Sequence, residues 1–125
     1  MIIEAYNIRL EKIKKEDIEL IRKWRNYNHV RKYMEYKNFI TKEMQKEWYV
    51  SNNNNNNMYF IICYNNDNTG VINAKNIDWE HKSFEIGLFL SYEKIQISII
   101  PILAILCFLD AFFLIFDFKK IISYI

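Results

Sequence analysis

Few residues in this chain are equipped for chemistry, and fewer stand at spacings that chemistry demands. His29 and His81 have no partner at catalytic spacing, so both read as surface residues without a role. Cys63 and Cys107 sit alone inside apolar runs, which points to buried free thiols in a reducing compartment rather than to a zinc site. Arg25 offers a planar fork of donors suited to a phosphate or a sugar hydroxyl; near a helix end it is otherwise an ordinary surface arginine. Tyr33, Met34 and Trp48 are large apolar side chains that either wall a pocket or, as aromatics at helical spacing commonly do, serve as plain core. Glu85 is a single carboxylate within a strand pattern, where such a group either faces solvent or serves as a general base.

The elements that must hold these residues follow from periodicity. Tyr6 to Lys12 alternates apolar and polar residues and predicts a first strand. In KKEDIELIRKWRN the apolar Ile18, Leu20, Ile21 and Trp24 recur at helical spacing, with Glu16 and Asp17 at the positive N-terminal end. A second short helical stretch, VRKYMEY, continues the layer. Thr41 is placed to cap a helix running through Val50, with Met44 and Trp48 one turn apart. The asparagine-rich run Asn52 to Asn57 reads as a mobile surface connection. Three antiparallel strands are predicted over Met58–Tyr64, Val71–Asp78 and Ser83–Ser91, with Asn65 to Gly70 as the first turn between them. Ile99 to Phe116 predicts a helix with Pro101 in its first turn, and Lys119 to Ile125 a last strand. This order is an α+β pattern over one domain spanning residues 1–125, not a doubly wound parallel sheet.

Composition narrows the function classes. A formal net charge of +2 argues against a dedicated nucleic-acid binder. Glu4 and Arg9 interrupt the N-terminal apolar stretch, so it does not read as a signal peptide, and a cytoplasmic location is expected. After Lys94, only Asp110, Asp117, Lys119 and Lys120 carry charge. The run Ile97 to Phe116 therefore approaches the ~20 residues that span a bilayer. A buried helix packed on the sheet is the favoured reading, and a membrane-associated tail is its rival.

Several segments taken in order resemble one family. Trp24-Arg25-Asn26 followed by His29 to Met34, then Phe39-Ile40-Thr41 and Trp48, resemble the W-R-N … R-x-x-M region of sugar-nucleotide N-acetyltransferases of the GNAT superfamily. Thr69 to Ile72, Ile77, His81 to Ser83 and Glu85-Ile86-Gly87 are similar to that group's central hairpin and fourth strand. Leu109-Asp110 and Phe116 to Ile122 are similar to the end of its third helix and its fifth strand. The group in view acetylates an amino-sugar nucleotide in pseudaminic acid synthesis.

The resemblance implies a GNAT fold, a mostly antiparallel sheet with flanking helices, lacking the family's last helix and strands. It implies acetyl-CoA as co-substrate and an amino-sugar nucleotide as acceptor, with no metal. The pantetheine arm would pair with the strand edge at Leu88, Phe89 and Leu90, much like an added strand. The pyrophosphate would sit at the start of the third helix, on Gln96, Ile97, Ser98 and Ile99. Glu85 takes the place of the carboxylate that deprotonates the amine, and Arg25, Tyr33, Met34 and Trp48 line the acceptor site. Two departures stand out. Isoleucine stands where the family's Q/R-x-x-G-x-G/A loop has glycine, and Pro101 removes an amide. The family's thiolate-protonating tyrosine would lie beyond Ile125. The alternatives are a catalytically impaired remnant of the fold, a ribosomal-protein N-terminal acetyltransferase, and a small membrane-associated protein.

Overall fold

The structure, a computed structural model, describes residues 1–32, 34, 36, 38–92, 95 and 98–118, with the backbone of 120–122. Its first element is a hairpin rather than a single strand. β1 (Ile2–Ala5) pairs antiparallel with β2 (Ile8–Lys12). Tyr6 and Asn7, at φ 57° and 62°, make the two-residue turn inside the segment expected to be one strand. The turn is tied down by the Tyr6 hydroxyl, which donates to Asp110.

A 3-10 turn (Lys15–Asp17) leads into α1 (Ile18–Asn26), and α2 (Asn28–Arg31) follows directly. In α3 (Lys42–Asn52) the Thr41 hydroxyl accepts from the Met44 N–H at 3.1 Å, the cap expected from sequence. β3 (Met58–Tyr64), β4 (Asp67–Asp78) and β5 (Ser83–Leu90) form the meander. The turn between β3 and β4 is only Asn65 and Asn66, at φ 51° and 68°, so the strand begins earlier than predicted. The asparagine run is not a loose connection. Its backbone carbonyls accept from Trp79 Nε1 (Asn55, 2.7 Å) and from the Ile77 N–H (Asn56, 2.8 Å), which ties it to the β4–β5 end of the sheet.

α4 (Ile100–Asp110) ends in a π-helical turn, Ala111–Ile115, rather than continuing regularly to Phe116. The Phe116 N–H reaches back five residues to the Ala111 carbonyl, which keeps Phe112 in the core while turning the chain towards β6 (Lys120–Ile122). The last strand expected over Lys119 to Ile125 is described only at Lys120–Ile122; Lys119, Ser123, Tyr124 and Ile125 lie outside the described residues.

Among the described residues, six strands stand in chain order, antiparallel throughout except for the parallel β5–β6 pair. α4 covers one face of the sheet. There Ala104, Cys107, Phe108 and Phe112 pack on Ile8, Leu10, Phe60, Ile62, Ile72 and Phe84. α1 and α3 cover the other face, with Ile21, Trp24 and Trp48 against Tyr59, Ile61 and Val71. β3 is consequently buried on both sides. Cys63 and Cys107 are buried free thiols, as expected. Among the described residues no helix is long and apolar enough to cross a membrane. Even so, Ile102, Leu106, Phe113, Leu114 and Ile115 point outward from α4 and its terminal turn.

Candidate active site

β5 has two edges with different partners. On one side it pairs with β4 from Gly70↔Leu90 to Lys75↔Glu85. On the other it meets β6 only at Ser83↔Lys120, Phe84↔Ile121 and Glu85↔Ile122. Beyond Glu85 that edge, Ile86 to Leu90, has no strand partner among the described residues. The side chains of Leu88 and Leu90 pack into the α4-side core and Phe89 into the α1/α3-side core. What remains on offer is backbone, the donor and acceptor row that an extended arm can join. The far end is anchored by Ser91, whose N–H (2.8 Å) and Oγ (3.0 Å) both donate to the Thr69 carbonyl. The Thr69 hydroxyl in turn donates to the Ile62 carbonyl at 3.0 Å.

The chain leaves β5 and reaches the N-terminus of α4, where free amides and the helix dipole favour an anion. Of the four residues expected there, Gln96 and Ile97 lie outside the described residues. Ser98 is engaged locally: its Oγ donates to the Ile95 carbonyl (2.6 Å) and accepts from the Ile100 N–H (3.2 Å). Ile99 carries a side chain 58% exposed at the helix entrance. With the Ile100 amide taken and Pro101 lacking one, this first turn has fewer donors for a pyrophosphate than a glycine loop presents. The strand edge is thus open to an added extended chain, and the helix entrance beside it has few free amides among the described residues.

The opposite wall is built on α1 and α3. The three residues of the W-R-N segment divide the labour. Trp24 is core. Asn26 clamps the chain after α2, donating from Nδ2 to the Ile40 carbonyl (3.0 Å) and accepting the Ile40 N–H (2.8 Å). Arg25 is half-buried, with no carboxylate partner among the described residues. Burial pushes its guanidinium below the usual range, partly offset by the nearby Tyr59. Tyr59 is itself shifted upward by burial, against the opposing pull of Arg25. Trp48 meets the Tyr59 ring edge-on, with centroids 4.7 Å apart. The structure thus brings Arg25 and Trp48 together around Tyr59. Met34 is half-buried just after α2, its N–H on the Arg31 carbonyl, and Tyr33 lies outside the described residues.

Glu85 occupies the last rung that β5 shares with β6, and Asn76 Nδ2 donates to its carboxylate. Because Lys75, Asn73 and Val71 face Glu85, Gly87 and Phe89 across the ladder, Glu85 is on the α1/α3 face of the sheet. Asn73, next along that row, is buried, and its Nδ2 has no hydrogen-bond partner among the described residues.

A family model described as an acetyltransferase (GNAT) domain matches residues 7–125. The chain belongs to that family. The six-stranded sheet with helices on both faces is the GNAT fold, and acetyl-CoA is that family's co-substrate. Solved structures agree on the fold. A spermidine N-acetyltransferase from Vibrio cholerae, in complex with CoA and spermine, superposes with a TM-score of 0.79 at 19% identity, over 95% of this chain and 71% of that one. RimL, a ribosomal L7/L12 alpha-N-protein acetyltransferase in complex with coenzyme A, gives 0.85 at 14%, over 98% and 73%. No curated protein sequence matches.

Within this GNAT domain, sequence reasoning passed over Tyr59, Asn73 and the Thr69–Ser91 tie. Tyr59 lies in a run of apolar residues and looks like core. Asn73 carried a usable signal: a lone amide in the apolar stretch Val71-Ile72-Asn73-Ala74, which a buried strand does not accept without a partner.

Proposed function

We propose that this GNAT domain transfers the acetyl group of acetyl-CoA to the amine of an anionic acceptor, an amino-sugar nucleotide. Arg25 carries the reading. A half-buried guanidinium beside Tyr59 with no carboxylate partner among the described residues calls for an anion from outside, and the fork of Arg25 matches a phosphate. A polyamine would meet like charge there. Trp48 provides an apolar wall beside Arg25 for the sugar or base.

The arm of the coenzyme lies along the backbone of Leu88, Phe89 and Leu90, with the pyrophosphate towards Gln96, Ile97, Ser98 and Ile99. The acceptor amine attacks the thioester carbon, the C–S bond breaks, and the coenzyme leaves as thiolate while the nitrogen gives up a proton. In this reading Glu85, which lies on the α1/α3 face next to the open edge, takes that proton through water.

The test is acetyl transfer by the purified chain to a panel of amino-sugar nucleotides, polyamines and an amino-terminal peptide. Arg25→Ala should raise the acceptor KM by about 10- to 100-fold, a lost charge-assisted bond, and leave acetyl-CoA affinity unchanged. Transfer to spermidine or to the peptide in preference to the nucleotides would overturn the acceptor assignment. No transfer and no acetyl-CoA binding would mark the chain as a remnant of the fold.

A further inference from the structure

Asn73 and Gly87 are direct partners across the β4–β5 ladder. A Cβ built at Gly87 would stand 2.7 Å from Asn73 Oδ1 and 3.1 Å from Nδ2, so the carboxamide lies over the glycine. The Asn73 side chain is buried, yet its Nδ2 has no acceptor among the described residues. Buried donors without an acceptor are rare in native proteins and ask for a ligand or a water. Gly87 is two residues past Glu85, the last rung shared with β6, and therefore stands at the inner end of the open edge. Having no side chain, it leaves the path from the Asn73 amide to that edge clear.

The direction of the coenzyme follows from the fold. Its anionic end belongs at the start of α4, beyond Leu90, so an arm lying on the β5 edge runs from Leu90 back towards Gly87. The thioester arrives beside Gly87. We infer that Asn73 donates through Nδ2 to the carbonyl oxygen of the bound acetyl thioester, holding the acyl group on the face where Arg25 and Tyr59 form the acceptor wall. Asn73 pairs with Tyr59 on its other side, so the same residue links the acyl position to that wall. The inference rests on acetyl-CoA being the acyl donor proposed above, and it explains why position 87 has no side chain.

Coenzyme A and acetyl-CoA share the arm and the nucleotide, and only the second has the carbonyl. Calorimetric titration of the wild type, Asn73→Ala and Asn73→Asp with both ligands therefore isolates the contact. In Asn73→Ala, acetyl-CoA should bind about fivefold more weakly, the size of one hydrogen bond, while coenzyme A affinity stays at the wild-type value. Asn73→Asp keeps the shape and replaces the donor with a carboxylate, and should weaken acetyl-CoA further with the fold intact. Equal losses for both ligands would give Asn73 a role in slot shape alone and overturn the inference. So would an unchanged ratio, or an effect confined to acceptor affinity. A wild type that binds neither ligand would overturn the acyl-donor reading and this contact with it.

Discussion

Ser91 and Thr69 are joined by two hydrogen bonds to one oxygen: the Ser91 N–H and Oγ both donate to the Thr69 carbonyl, at 2.8 and 3.0 Å. Both residues are buried, and together they pin the end of β5 to β4 where the open edge finishes. Ser91→Ala removes one of the two bonds, and Thr69→Val leaves the Ile62 carbonyl without the Thr69 hydroxyl. Each should cost about 1–2 kcal/mol in urea unfolding. Each should also weaken acetyl-CoA binding, because the edge that receives the arm loses its anchor.

Restoring a glycine at the start of α4 should strengthen the hold on the pyrophosphate. Ile99 is exposed, so Ile99→Gly gives up little burial and opens the backbone to close approach. Acetyl-CoA should bind about tenfold tighter, while a pantetheine thioester without the nucleotide should show no change. Calorimetry with the two donors reads the difference directly.

The turn between β4 and β5 makes stability depend on acid. Asp78 accepts from the His81 N–H (2.9 Å) and lies 2.8 Å from the His81 Nδ1. The backbone bond first, and the ring second, hold its carboxyl below the usual aspartate range. A lowered folded-state value means the contribution is present above the unfolded value of about 3.9 and is lost as pH falls through the folded one. Thermal melts of wild type and Asp78→Asn should differ at pH 7, and the difference should shrink as pH falls below about 3.9 through the lowered folded-state value.

Phe84 holds the aromatic cluster on the α4 side of the sheet. Its ring is fully buried, with centroids 4.4 Å from Phe112, 5.5 Å from Phe118 and 5.9 Å from Phe108. Phe84→Ala should destabilise the domain by about 3–5 kcal/mol, measured by urea denaturation, and Phe84→Leu by much less.

Long, strongly periodic segments were legible in the sequence. β3 runs from Met58 to Tyr64 as read, and Thr41 caps α3. Short-range turn chemistry was less so. The Tyr6–Asn7 turn has no glycine, and a tyrosine at positive φ gives no advance notice, so the sequence pattern takes the turn into the strand Tyr6 to Lys12 and misses β1. The asparagine run looked mobile because its composition cannot build a core; its main-chain bonds to Trp79 and Ile77 come from distant strands and leave no local trace. The α+β order follows the expected pattern, whereas the pairing of Arg25 with Tyr59 and Trp48 required the sheet to be assembled first. Met34 and Glu85 could be placed on the chain, whereas the isolation of the Asn73 amide depends on every neighbour that fails to reach it.

The outward-facing side chains of α4 and its terminal turn bear on the heat capacity of the molecule. Ile102 and Leu114 are 60% and 81% exposed in the folded state, and unfolding changes their hydration little. Apolar surface already wet adds almost nothing to the heat-capacity increment of unfolding or to the denaturant slope, since both scale with newly exposed area. A scanning calorimeter should therefore record a smaller increment than 125 residues ordinarily give, and the stability curve should be broad and shallow, changing little between a cold room and body temperature.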